Sequence, residues 1–376
     1  MKDTIRIIHM GDLHLDSPFS SLGVQKSEIR RREMRATFTS LMYYIKEVAA
    51  DIVLISGDLF DDGYATEDTA DLLIKEFAAL PECRFVIAPG NHDPFTKGSI
   101  YQSKKMPPNV KIFHSEGLSR YIFDDINTEV YGWAFCSPSL KESPIAGKRT
   151  EENGRLHLVC GHCDMASPIS TYCPVTKEDV VRFGAHYNAF SHIHKTPTVY
   201  TESGVTWSYS GFVEGRSFDE CGKGGIYYIE AKTSGDHALD IKRKNIARRH
   251  YEWEKLDISG ANTLSDVAEK IDALIKEKHY TEETLLRVTL FGSISPNLEN
   301  LQRLESAVRG LFVLEIDDKT TPTFDSEALE KDMTMRGELY RELLPMLSGG
   351  TPEERATASA ALKMGLAALE GRNITD

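Results

Sequence analysis

Over the first two hundred residues, short apolar runs alternate with longer amphipathic stretches. Residues 5–10, 52–55 and 84–88 are rich in Ile and Val and flanked by Gly or Pro, which predicts buried strands. Between the first two runs, Ile29, Met34, Phe38, Leu41, Ile45 and Val48 fall near one face of a helix. After Thr66, Ala70, Leu73, Phe77 and Leu80 do the same. Strand–helix–strand alternation predicts a largely parallel sheet with helices packed on it, and ligands collect just past the carboxyl ends of such strands. From about residue 110 the pattern turns sheet-rich. Residues 130–135, 155–160, 187–190, 199–210 and 225–230 predict a second sheet packed on the first, with Leu156, Leu158 and Cys160 alternating toward the core.

A basic stretch, Lys242, Arg243, Lys244, Arg248 and Arg249, precedes a different organisation. Residues 264–278 predict a helix, 285–291 a strand, 298–308 a helix and 311–316 a strand, a βαβ-like piece. Residues 327–347 predict an amphipathic helix broken by Gly349-Gly350, and Thr351, Pro352, Glu353 and Glu354 open a last helix ending near Gly371. Three parts are expected: residues 1–245, a small α/β domain over 250–322, and a helical segment over 325–376 whose Leu and Ala stripes suit docking on another protein's helix.

A chain of 376 residues exceeds one compact core, and 41% hydrophobic with 27% charged residues is ordinary for a soluble protein. No run approaches the ~20 apolar residues of a membrane helix, and the run at 5–10 is too short for a secretory signal, so no membrane association and a cytoplasmic location are expected. Six cysteines are too few for a disulfide scaffold, and Cys160-x-x-Cys163 has no second pair to complete a zinc site; a buried strand-end thiol is the expectation. The net charge of −13 lies mostly in residues 251–376. The nearly neutral remainder does not exclude a phosphodiester substrate.

The chemistry lies where the predicted strands end. Asp12-Leu13-His14, Gly57-Asp58-Leu59-Phe60-Asp61, Gly90-Asn91-His92-Asp93, Gly161-His162 and His192-Ile193-His194 each bring metal-ligand residue types, and together they could hold two cations. Singly each is weak; five in order at strand ends point to a dinuclear metallohydrolase. Two divalent cations about 3.5–4 Å apart need one carboxylate able to bridge them. Asp58, at the end of the most apolar strand, is the natural bridge.

In these five motifs, in Leu15-Asp16-Ser17-Pro18-Phe19 and in Tyr209-Ser210-Gly211, the chain resembles the calcineurin-like metallophosphoesterases, and within them the SbcD-type and YhaO-type DNA repair nucleases. The resemblance implies a four-layer αββα sandwich with a small α/β capping domain and C-terminal helices. It implies Asp12, His14, Asp58 and His194 around one metal, and Asp58, Asn91, His162 and His192 around the other. His92 would stabilise the transition state or protonate the leaving oxygen, with Asp93 orienting its ring. Manganese is the implied metal; the ligand types alone admit zinc or iron.

Two positions depart from the family pattern. Ser191 stands where the last motif usually has glycine, and Asp61 where some SbcD-type nucleases carry histidine. Arg30, Arg31, Arg32 and Arg35 read either as a solvated helix face or as DNA-backbone contacts. His9, His114, His157, His186, His237, His250 and His279 are expected to be structural. The expected function is metal-dependent DNA nuclease action, with exonuclease cleavage as its mode, in DNA repair. The chain lacks a G-x-x-x-x-G-K-[ST] phosphate loop, so ATP control would come from an SbcC-like or YhaN-like coiled-coil ATPase, with a homodimer as a further assembly. The alternatives are the same chemistry on a small phosphoester or cyclic nucleotide, or a non-catalytic scaffold.

Overall fold

Strands β1 (Thr4–Met10), β2 (Ile52–Ile55), β3 (Arg84–Ile87) and β4 (Val110–Ile112) run parallel, the chain returning between them through α1 (Val24–Glu47), α2 (Glu67–Ala78) and the short α3 (Ile100–Ser103). This is a computed structural model, and it describes residues 2–369 apart from 196, 296, 297, 299, 324 and 325. A second sheet follows: β5 (Ser119–Phe123), β6 (Thr128–Gly132), β7 (Leu156–His162), α4 (Lys177–Phe183), β8 (Tyr187–Ser191), β9 (Val199–Glu202) and β10 (Val205–Tyr209), in the order β5-β6-β7-β8-β10-β9. The chain then rejoins the first sheet as β11 (Gly225–Lys232) and β12 (Leu239–Asn245), giving β12-β11-β1-β2-β3-β4.

The alternation of side chains along each strand builds the layers. Ile8, Met10, Val53, Ile55 and Phe85 face the helices, where Met34, Phe38, Leu41 and Ile45 of α1 and Leu73 and Phe77 of α2 cover them. Ile5, Ile7, Ile52, Leu54 and Val86 point the other way and meet Leu156, Leu158, Cys160 and Tyr187 of the second sheet. That sheet's outer face packs Val159, Phe190 and Trp207 on Val180 and Phe183 of α4. The expected αββα sandwich is the observed one, with Leu156, Leu158 and Cys160 turned into its centre.

The chain divides into two compact units, the first ending at Tyr251 and the second beginning at Glu252. The small α/β piece and the terminal helices fall in the same unit. Its sheet is β13 (His250–Asp257), β14 (Thr284–Ile294) and β15 (Val313–Pro322), with α5 (Leu264–Lys278) opened by a Thr263–Asp266 capping box. The helix expected over 298–308 shrinks to a single 3₁₀ turn and α6 (Leu304–Ala307), because Asn300 is left-handed (φ 59) at its start and Gly310 (φ 90) follows its end. The helix expected over 327–347 is two, α7 (Ser326–Lys331) and α8 (Met335–Gly349), since the Thr334 side chain caps a new start. The last helix, α9 (Pro352–Leu369), begins as expected; Gly371 lies outside the described residues.

The run at 199–210 is two strands, reversed at left-handed Ser203 and Gly204. Lys242 and Arg243 fall on edge strand β12, where Lys242 is exposed while Arg243 lies over the Tyr227 ring.

Candidate metal centre

Five parallel strands deliver the site. Past β1 come Asp12 and His14, past β2 Asp58, past β3 Asn91 and His92; His162 closes β7, and His192 and His194 follow β8. Asp12, His14, Asp58 and His192 all have positive φ (50, 49, 52 and 113), conformations non-glycine residues adopt at a cost when surrounding contacts impose them. Gly57, at φ 106, lies so close to the next sheet that a Cβ there would sit 2.5 Å from His162 Nδ1. The bridging position therefore requires glycine before Asp58.

Asp12, His14, Asp58 and His194 can each turn a ligand atom to within 4.8 Å of the others. His194 Nε2 lies 3.3 Å from Asp12 Oδ1 and 3.4 Å from His14 Nε2. On the other side, His162 Nε2 is 2.9 Å from Asn91 Oδ1 and 3.2 Å from His192 Nδ1. Asp58 Oδ2 joins the two groups, 3.6 Å from His14 Nε2 and 3.4 Å from His162 Nε2. Behind them, His14 Nδ1 is 2.6 Å from Asp61 and His162 Nδ1 is 3.1 Å from the Ser56 carbonyl. Protons held on those rear nitrogens leave both Nε2 lone pairs facing inward at an acid oxygen. Inward lone pairs from imidazoles, a carboxamide and carboxylates fit divalent cations.

Electrostatics add to this. Burial, and then Asp12, push the Asp58 carboxyl up to about 7. Burial pulls the imidazoles of His162 and His192 down to about 4, which keeps them neutral and able to ligate. His194 goes the other way: burial opposes its charge, but Asp12 and Glu220 outweigh it and raise it to about 10. Without a cation, a proton on His194 balances the buried acids.

One supporting residue escapes sequence reasoning, and two that the motifs contain take supporting places. Glu220 accepts from His194 Nδ1 at 2.8 Å and is itself paired with Arg216 at 2.6 Å. Nothing near Glu220 in sequence marks it. Asp61 holds His14 and lies 3.5 Å from His92 Nδ1, and its place in the second motif was the available signal. Ser191 keeps the turn that glycine usually makes and sets its hydroxyl 2.9 Å from His162 Nδ1.

Two expectations are corrected. Asp93 does not orient His92: its carboxylate accepts from the N–H groups of Asp58, Leu59 and Gly90 and from the Tyr101 hydroxyl. It ties the second motif to the third, and Asp61 is the acid beside His92. Arg30 is not available to DNA. It is fully buried, bonded to Glu33, Glu214 and the Gly215 carbonyl. Arg35 is spent largely on Asp16, at 2.7 Å; Arg32 is exposed and Arg31 half-buried. Cys160 and Cys163 are buried free thiols.

A family profile described as calcineurin-like phosphoesterase matches residues 5–222, more than half of the chain. The chain belongs to the calcineurin-like phosphoesterase family. Among curated relatives of this phosphoesterase, the uncharacterized metallophosphoesterase YhaO of Bacillus subtilis is 28% identical over 347 residues, covering 85% of this chain and 83% of its own. The DNA double-strand break repair protein Mre11 of Methanopyrus kandleri is 25% identical over 121 residues, 32% of this chain and 24% of its own. Among solved structures, a dimetal phosphatase from Danio rerio matches 64% of this chain and 96% of its own, at 14% identity and a TM-score of 0.40. No helix among the described residues is long and apolar enough to cross a membrane.

Proposed function

We propose that this phosphoesterase is a metal-dependent DNA nuclease, hydrolysing phosphodiesters as an exonuclease in DNA repair, in the cytoplasm. The observation that carries the reading is Asp58 Oδ2, shared between two groups of inward-facing donors. Asp12, His14, Asp58 and His194 would hold one cation and Asp58, Asn91, His162 and His192 another, with manganese as the metal we propose. When bound, such a pair neutralises phosphoryl oxygens and activates water. The chain's own residues supply the rest. His92, with a half-exposed side chain, is the imidazole free to give a proton to the leaving oxygen, and Asp61 stands behind it. Asp93 fixes the loops so that Asp58 and Asn91 stay in register.

The nuclease reading over a general phosphoesterase is supported by the match to part of Mre11, while the longer match to YhaO supports a metallophosphoesterase. We also propose an SbcC-like or YhaN-like ATPase as partner, docking on the terminal helices; Met335, Met346 and Met364 are exposed there. The test of the function is manganese-stimulated cleavage of linear DNA that disappears in Asp58→Ala and in His92→Ala. Hydrolysis of small phosphodiesters with DNA left intact would overturn the nuclease assignment and leave the phosphoesterase.

A further inference from the structure

Beside the metal centre lies a cavity of about 560 Å³ that the chemistry above does not use. One wall, Met165 and Ala166, follows His162 in the chain; another, Ile193 and Lys195, flanks His194. Tyr209 joins these walls, its hydroxyl accepting from the Met165 N–H at 2.8 Å and donating to the Cys163 carbonyl at 3.1 Å. The remaining side is a plane of aromatic rings: Tyr200 stacks on Trp207 with centroids 5.7 Å apart and an interplanar angle of 17°. Trp207 is buried beneath, while Tyr200, on edge strand β9, is 50% exposed. Lys195 is exposed and has no hydrogen bond or ion pair among the described residues.

We propose that this cavity is a base-binding subsite, which receives an unpaired nucleobase next to the phosphodiester at the metal centre; the proposal rests on the nuclease reading. The size falls within the range of small-ligand pockets. The lining also carries Thr198, Thr201 and the Lys177–Glu202 ion pair, while its Met, Ile and aromatic side chains suit a flat ring. A base stacks on an aromatic face whatever its identity, so this contact recognises single-stranded DNA without reading sequence. Exposed Lys195 supplies the positive charge that follows the backbone. A base inside a duplex is already stacked and paired, so the cavity selects a strand end or a gap.

Binding is measured by fluorescence anisotropy with a fluorescein-labelled single-stranded oligonucleotide, in EDTA so that the strand stays intact, and with the same oligonucleotide made abasic. The full chain should bind the abasic strand roughly tenfold more weakly. Tyr200→Ala should bind the normal strand roughly tenfold more weakly and no longer distinguish the two, while Tyr200→Phe behaves as wild type. Equal wild-type affinity for both strands, or undiminished discrimination in Tyr200→Ala, would overturn the subsite. Hydrolysis of bis(p-nitrophenyl) phosphate, a small ester, reads the metal centre in the wild-type protein. Manganese-loaded wild type that hydrolyses this ester and never the oligonucleotide would instead sink the nuclease reading, a separate outcome.

Discussion

The two units are built from the same grammar of strands and helices, yet they bury different things. Every fully buried polar or charged residue among the described ones lies in the first unit, except Thr284. The core of the second is Leu, Ile, Val and Ala around β14 and α5. Left-handed backbone occurs in both units but carries different side chains. In the second unit His279 ends α5 and Asn300 opens a turn, whereas in the first Asp12, His14, Asp58 and His192 hold that conformation while carrying ligand-type side chains. Positive φ and buried charge coincide in the first unit, at the strand-end residues Asp12, His14 and Asp58 and at Asp16, which Arg35 pairs. At those strand ends the fold gives up stability for a site.

Substitutions should therefore separate activity from stability. Asp58→Ala removes the atom shared by both donor groups, and hydrolysis measured at saturating manganese should fall by at least about a thousandfold. Leu286→Ala, in the second unit's core, should cost about 2–5 kcal/mol in denaturant unfolding and leave small-phosphodiester turnover per folded molecule unchanged. If Leu286→Ala abolished turnover of the small substrate, or Asp58→Ala spared it, the division of labour would be wrong.

The same contrast explains what could be read from the sequence. The strand-end motifs were legible because ligand types recur where apolar runs stop, and the layers were legible because alternation turns Ile5 and Ile7 against Ile8 and Met10. Second-layer partners were not. Glu220 meets His194 through a loop no local pattern specifies, and Arg30 is buried because Glu214, far along the chain, meets it. Asp93 misleads by adjacency: next to His92 in sequence, it points to the Asp58 loop. Edge strand β12 was obscured by its charges, since a strand with one wet face shows few apolar positions.

Protons and cations compete for the same atoms, and this gives a pH signature. In the metal-free protein, Asp58 at about 7 and His194 at about 10 both hold protons at pH 6, and ligation requires both to leave. Manganese affinity by titration calorimetry should weaken by about tenfold or more per pH unit between pH 8 and pH 6, with protons released on binding. Stability without metal follows a related rule. The folded Asp58 carboxyl binds its proton more tightly than an ordinary aspartate, at 3.8, so its contribution to stability falls as pH rises from about 4 through 7. Asp58→Asn should accordingly raise the melting temperature of the metal-free chain at pH 8, with the gain vanishing near pH 4. A gain that grew toward acid pH would contradict the buried, proton-holding Asp58.

The smallest expected effect is at Glu220, and its sign changes with pH. Its carboxylate, held down to about 2 chiefly by the His194 hydrogen bond and Arg216 against the cost of burial, stabilises the protonated imidazole and also makes the neutral ring a stronger donor. Glu220→Gln weakens both effects. At pH 8.5, where fewer protons compete, the loss of donor strength should dominate, and manganese should bind about tenfold more weakly. At pH 6 the lowered His194 pKa removes a competing proton, so the deficit should narrow or reverse. The expected result is thus a flatter pH profile of affinity, measured by the same calorimetry. A uniform offset at every pH would mean that Glu220 only positions the ring and does not set its charge.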